Sequence, residues 1–275
     1  MKFPVHTLLR QRMGKNLIVT SKDRTTYPDN TCQDFRVKTT SPLNTSEDGY
    51  SFVKLYSITV PFKLCLRKIL RDVTISIDPI SYTQWGTKKL NVFPAEGNPV
   101  SFNKIELVDR LNTVVQDEDL TFSYHAPSEK CTIFNDSSSD VFVSFNDKRI
   151  LPILGFDEET IQVDGKGLLV GTGKVKMHSL LPPYLYVYAD FVETTHIDIH
   201  SKRLLGIVTL NKLYRKHSLE EKTVTLLEPN PFVTHINRDE LSEMRFTLTL
   251  PNSEPFPFYD LNDTTSITLS FSSKI

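Results

Sequence analysis

The sequence predicts an all-β protein built as an antiparallel sandwich or barrel. Short segments rich in Val, Ile, Thr, Tyr and Phe recur along the 275 residues, and Asn, Asp, Pro and Ser separate them. Many of these segments alternate apolar and polar residues, as in Val73, Ile75 and Ile77, after which Asp78-Pro79 ends the run. Period-two alternation between turn formers is typical of strands with one buried face. With 39% hydrophobic residues, the chain is suited to a packed core.

The middle third departs from this strand pattern. From Ser101, a predicted N-cap, the apolar residues Ile105, Val108, Leu111 and Val115 recur at helical spacing. This spacing predicts a helix of about three turns. The sequence further predicts a short helical turn starting at Asn146 or Asp147, and a loop or tight hairpin over Gly165–Gly173. A β domain with an insertion fits this order better than two domains in series.

Charge and cysteine content exclude several classes of function. The chain has 32 basic and 33 acidic residues, which argues against a nucleic-acid coat that is basic all over. The three cysteines match neither a disulfide framework nor a zinc site, which favours a reducing compartment. The N-terminus lacks the apolar stretch of a signal peptide, and the most apolar run, Leu180–Val192, is too short to span a bilayer.

One pattern is compatible with metal chemistry. His196, Asp198 and His200 alternate, so on a strand their side chains would share one face. Two imidazoles and a carboxylate are the ligand set of non-haem iron(II), and His235 and Arg245 would serve as the distal ligand and the co-substrate anchor. The alternative interpretation is a polar strand face, and the sequence favours that simpler interpretation because a His-x-Asp triplet is common by chance.

Tyrosines alternate with aliphatic residues in the late strand at 185–192. Tyr184, Tyr186 and Tyr188 share one face, and Leu185 and Val187 share the other. We expect the aliphatic face to pack in the core. The tyrosine face would be wetter, or shared with a neighbouring molecule, unless all five side chains are core.

A series of short motifs resembles one protein family in residue type and in order. The chain has a Ser-containing turn, the motif Tyr27-Pro28-Asp29-Asn30-Thr31 and a strand with Phe35, and its next strand ends at Pro61. A helix with a Leu-Asn pair, a Leu-Gly-Phe block and a pair of late strands follow. Together they resemble the minor capsid (penton) proteins of Polinton/Maverick elements and adintovirus-like double-stranded DNA viruses. The later motif positions are Leu111, Asn112, Leu154, Gly155, Phe156, Tyr186, Tyr188, Asp190 and Glu193.

The sequence departs from the family at three places. It has Tyr50-Ser51-Phe52 where the family often has Trp-Glu, and His196-Ile197-Asp198 where Val-Gly-Asp is usual. Gly206 follows Leu204-Leu205 where an Arg is usual. These departures bear on how the chain would meet its neighbours.

The resemblance implies a single jelly-roll domain over residues 1–275 with a helix-containing insertion at about 79–180. It implies a structural protein with no catalytic residue, cofactor or metal, forming homopentamers at the five-fold vertices of an icosahedral virion. Its partners would be further copies of itself, a double-jelly-roll major capsid protein reached in part by the arm Met1–Lys15, and a host receptor. Genome contact is not predicted. The protein would reside in the virion, and inside the host cell during assembly.

Two other classes remain open. One is an Fe(II)/2-oxoglutarate oxygenase on a β-sandwich, with His196, Asp198 and His235 as its ligands. The other is a carbohydrate-binding jelly roll involved in attachment.

Overall fold

The computed structural model describes residues 15–22, 25–80, 87–94, 97–197, 200–211, 214, 223–227 and 233–273. No helix among them is long and apolar enough to cross a membrane. The helices are α1 (Thr45–Asp48), α2 (Leu66–Ile69), α3 (Lys104–Val115) and α4 (Ile150–Leu154), with a 3₁₀ helix at Met177–Leu180. The strands are β1 (Lys15–Thr20), β2 (Asp34–Asn44), β3 (Phe52–Pro61), β4 (Thr74–Pro79), β5 (Lys88–Asn91), β6 (Leu120–His125), β7 (Lys130–Asn135), β8 (Val141–Phe145), β9 (Thr160–Val163), β10 (Leu168–Val170), β11 (Tyr184–Ala189), β12 (Thr195–Ile197), β13 (His200–Lys202), β14 (Leu204–Thr209), β15 (Thr223–Leu227), β16 (Val233–His235), β17 (Glu240–Thr249) and β18 (Ser266–Ser272).

Two antiparallel sheets form a sandwich, which confirms the predicted all-β fold. One sheet has the order β1-β18-β3-β15, with β16 also paired to β3, and the other has the order β14-β11-β17-β2. Apart from β11 and β14, neighbouring strands in both sheets come from distant parts of the chain. The sandwich therefore closes only after β18, near the end of the chain, pairs with β1 and β3.

Alternation along the strands decides which side chains fill the sandwich. On β11, Leu185 and Val187 are fully buried, whereas Tyr184 is 41% exposed. The sheets approach closely where β14 crosses β3, because a Cβ at Gly206 would lie 3.0 Å from Cδ2 of Leu55. A glycine at this point leaves room for the leucine side chain in the core.

The section between β3 and β11 forms two further sheets. One is four-stranded, in the order β5-β4-β8-β9, and the other is three-stranded, in the order β10-β7-β6. Helix α3 lies against β6. Among the described residues, no strand of this section is hydrogen-bonded into either sheet of the sandwich.

Helix α3 is present, but it begins later than the sequence predicts. Its N-cap is Asn103, whose side chain accepts a hydrogen bond from the N–H of Glu106 at 2.8 Å. Ser101, the predicted cap, instead forms an isolated β-bridge with Cys65. Ile105, predicted to face the core, is 61% exposed. The buried face contains Leu107 instead, and at 100° per residue Ile105 lies roughly 100° from its centre.

The predicted glycine loop at 165–173 contains a short strand. Strand β10 pairs with β7 inside this segment, placing Leu169 beside Ile133. The predicted helical turn is α4, which starts at Ile150 rather than at Asn146 or Asp147. Asp147 lies just before α4, and its carboxylate accepts hydrogen bonds from the backbone and side-chain N–H groups of Arg149.

Candidate functional site

Asn30 closes the outer edge of β2. Its side-chain amide donates to the carbonyl of Arg36 and accepts from the Arg36 N–H, both at 2.8 Å. This side chain thus pairs with the backbone of Arg36 at a point where a further strand could otherwise bind. The turn that carries it is held by a hydrogen bond from Asn30 N–H to the carbonyl of Tyr27. Pro28 and Asp29 occupy the two positions between them.

Asn112 closes the edge of β6 in the same way. From the half-buried face of α3, its amide donates to the carbonyl of Phe122 at 2.7 Å and accepts from the Phe122 N–H at 2.6 Å. Its neighbour Leu111 is fully buried. Asn30 and Asn112 therefore have the same structural role, since each pairs with the backbone of one residue at a sheet edge.

The other early motif residues lie in the core or at its turns. Phe35 is buried and stacks on Phe246, with ring centroids 5.3 Å apart. Pro61 is the buried last residue of β3. Gly155 ends α4 at φ +92°, between the buried side chains of Leu154 and Phe156. A Cβ there would lie 2.4 Å from the carbonyl oxygen of Gly173, so only glycine fits.

The tyrosines of β11 lie on the outward face of the sheet β14-β11-β17-β2. The rings of Tyr186 and Tyr188 stack with centroids 6.4 Å apart, and both residues are partly buried. Partial burial, together with the neighbouring Tyr186, raises the pKa of Tyr188. The face is therefore a mixed aromatic and hydroxyl surface, which suits contact with another molecule.

Asp190 organises a charged network at the end of β11. Its carboxylate accepts from the guanidinium of Arg238 at 2.7 Å and from the backbone N–H of Arg245 at 2.9 Å. Arg203 donates to its backbone carbonyl. The Arg245 side chain turns instead to Asp34, which it binds through two hydrogen bonds of 2.9 and 2.6 Å. These bonds raise the pKa of Arg245.

Arg245 also separates two shallow pockets on this face. The larger has a volume of about 310 Å³ and extends from Tyr27 and Asp29 to Arg36 and Arg245. The smaller, of about 170 Å³, lies between Tyr188, Arg203 and Arg245. Arg36 and Arg245 are direct partners across β2 and β17, so two guanidinium groups border the larger pocket. Asp29 and Asp34 also line this pocket and balance the two positive charges, so the surface suits polar groups.

The residues of the metal hypothesis are only partly described. His235 ends β16, where its exposed ring lies 4.2 Å from the ring of Phe52. Its carbonyl accepts from the N–H of Glu193, a motif residue whose side chain is exposed. His196 lies in β12, but its side chain and the whole of Asp198 lie outside the described residues. The iron hypothesis therefore stays a prediction.

Sequence reasoning did not find the charged network around Asp190. Asp34 and Arg203 lie in segments that resemble the penton family but have no predicted role, and Arg238 lies outside those segments. The sequence predicts Arg245 only as an anchor for an oxygenase co-substrate. Asp34 and Arg245 are 211 residues apart in the chain, so no local pattern joins them. The sequence signal that could locate Arg245 is the alternation of apolar and polar residues along β17. Arg245 lies between the core residues Met244 and Phe246, so its side chain must point outward.

The two sheets define the protein as a jelly-roll β-sandwich. In chain order, its eight positions are β1, β2, β3, β11, β14, β15 with β16, β17 and β18, and consecutive positions alternate between sheets except where β11 is followed by β14. The crystal structure of the SeMet-labelled mavirus penton protein has a similar fold. The TM-score is 0.58 at 14% sequence identity, over 94% of this chain and 98% of that chain. No family model and no curated protein matches the sequence.

Proposed function

We propose that this chain is a structural minor capsid (penton) protein that forms homopentamers at the five-fold vertices of an icosahedral virion. The observation that carries the proposal is the fold. The similarity to a penton protein extends over nearly the whole of both chains, so it includes the section between β3 and β11 as well as the sandwich. The motif residues support the proposal because Asn30, Asn112 and Gly155 each have a specific structural role.

The domain organisation follows from the same observation. We propose one jelly-roll domain with an insertion, as the sequence predicts for about 79–180. The insertion would comprise the two small sheets and α3, between Pro61 at the end of β3 and Tyr184 at the start of β11. One continuous hydrophobic cluster includes residues of the sandwich and of this section, such as Leu55 and Leu111, which supports a single folding unit.

The outward surface of the sheet β14-β11-β17-β2 suits assembly. It presents stacked tyrosines beside a network of charged side chains, and interface regions are enriched in Tyr and Arg. We propose that a capsid protein of the double-jelly-roll class contacts the rim of the pentamer. The virion is then the site of the protein's function.

The decisive measurement is the mass of the purified protein by native mass spectrometry and light scattering. We expect a species with five times the mass of the chain, and the same chain in purified particles. A strictly monomeric protein at high concentration that is also absent from particles would refute the proposal. Turnover that depends on ferrous iron and 2-oxoglutarate, and is lost in His196→Ala, would favour the enzyme alternative instead.

A further inference from the structure

The three-stranded sheet of the middle section exposes apolar side chains on its outer face. Leu168 and Val170 of the edge strand β10 are 63% and 46% exposed. Phe134 of β7, the direct partner of Leu168, is 39% exposed. We call these three residues patch one. They are contiguous, because a residue and its direct partner on a neighbouring strand have Cβ atoms only about 5 Å apart.

The four-stranded sheet exposes a second apolar group. Phe142 of β8 is 37% exposed, and Ile80, directly after β4, is 44% exposed. Ile80 continues β4 alongside β8, because its N–H donates to the carbonyl of Asp140 at 2.8 Å. We call Ile80 and Phe142 patch two. The buried side of each sheet belongs to the hydrophobic core, so both patches point away from it.

The charged side chains beside the two patches differ in sign. Where β7 begins, Lys104 of α3, Lys130 and Lys174 have a single carboxylate among them. Glu129 accepts from Lys104 at 2.8 Å and from Lys174 at 2.9 Å, and these hydrogen bonds lower its pKa to about 2. Lys130 has no ion-pair partner within the described part of the chain. The group is therefore positive overall. Nearby Lys166 is neutralised by Asp136.

Patch two lies among carboxylates. Asp78 is the direct partner of Phe142 across β4 and β8. The side-chain amide of Gln162 donates to Asp140 at 3.0 Å and to Asp164 at 3.3 Å. None of these three aspartates forms an ion pair with a described lysine or arginine. Lys89 of β5, the direct partner of Ser76, lies on the same face, so three carboxylates and one lysine make the surroundings of patch two negative overall.

We propose that patch one of each copy packs against patch two of the next copy around the ring. The inference rests on the proposed pentamer and names its contact. A closed ring needs two different, complementary surfaces on every subunit. The patches meet this requirement because both are apolar at the centre, whereas the charges around them are opposite in sign. Burial of the apolar side chains stabilises such a contact, and the charges select its partner.

The test uses two variants that each lose one patch. Leu168→Asp with Val170→Asp removes patch one, and Phe142→Asp removes patch two. Ile18→Asp is the matched control, because Ile18 is 72% exposed on β1, outside both patches. Circular dichroism establishes that each variant is folded, and native mass spectrometry gives its mass. We expect pentamers for the wild type and the control, and monomers for each patch variant.

Mixing the two patch variants gives the sharpest result. One variant retains patch two and the other retains patch one, so the mixture has one functional contact and should form one-to-one dimers but no ring. Milder serine substitutions at the same positions should weaken assembly at least tenfold, which corresponds to about 1.4 kcal/mol.

Two outcomes would overturn the inference and leave the pentamer intact. Either the patch variants still form rings like the wild type, or they lose the ring but give no dimer on mixing. A monomeric wild type would instead refute the proposed pentamer itself, so the two failures are distinguishable.

Discussion

Replacing Asn30 tests whether one side chain closes the edge of β2. Asn30 is only 5% exposed, and Asn30→Ala removes both hydrogen bonds to Arg36. The backbone N–H and carbonyl of Arg36 then lose their hydrogen-bond partner next to the buried position of residue 30. A buried polar backbone group without a partner costs ~1–3 kcal/mol, and water reaches this edge in part. We therefore expect the free energy of unfolding to fall by about 2–4 kcal/mol.

Asn30→Asp distinguishes the donor from the acceptor. The introduced carboxylate still accepts from the Arg36 N–H, but its other oxygen faces the Arg36 carbonyl. Burial and this repulsion should raise its folded pKa above the ordinary ~3.9. Once protonated, the group can donate to that carbonyl. The folded state then binds the proton more tightly than the unfolded state, so the deficit relative to wild type should shrink as pH falls through the raised pKa.

Urea unfolding followed by circular dichroism measures both variants across pH. Asn16→Ala is the control, because Asn16 is exposed on β1, and we expect a change within ~0.5 kcal/mol. The reasoning is wrong if Asn30→Ala is as stable as this control. It is also wrong if the deficit of Asn30→Asp is independent of pH.

Three further predictions concern the core, the thiols and an ion-pair cluster. Gly206→Val should lower stability by about 1–3 kcal/mol in thermal unfolding, because the added methyl groups press on Leu55; an unchanged melting temperature would contradict this. Burial raises the pKa of Cys32 and of Cys131 to about 12, so a chromogenic disulfide reagent should label neither thiol until urea unfolds the protein. Hydrogen bonds from two lysines lower the pKa of Glu129 from 4.5 to about 2. Its contribution to stability is therefore present above about pH 4.5 and lost as pH falls toward 2, and Glu129→Gln should flatten that part of the acid dependence; identical acid profiles would refute the assignment.

Local periodicity predicted the fold class correctly because burial of one strand face is visible within a few residues. Ile75 and Ile77 are buried on β4, as their alternation predicts. The predicted N-cap of α3 was wrong by two residues, since Ser101 and Asn103 are both good caps. The choice between them depended on the bridge from Ser101 to Cys65, which is a contact between distant segments.

The candidate surface was harder to predict than the fold. The outward direction of Tyr186 and Tyr188 follows from alternation, and the structure places both on the outer face. The ion pair of Arg245 with Asp34 depends on the pairing of β17 with β2, which no local sequence pattern specifies. The resemblance singles out Asn30 and Asn112, but their shared role depends on how each turn or helix packs against a strand edge, which the motifs do not specify.

The hydrogen bonds of Asn30 and Asn112 have a consequence for the proposed assembly. An open strand edge binds any other open edge, so it recruits partners without regard to their identity. Because Asn30 and Asn112 occupy the backbone groups of Arg36 and Phe122, a foreign strand cannot pair continuously along β2 or β6 without displacing them. In the proposed pentamer, this would favour association through side-chain surfaces over association through strand edges.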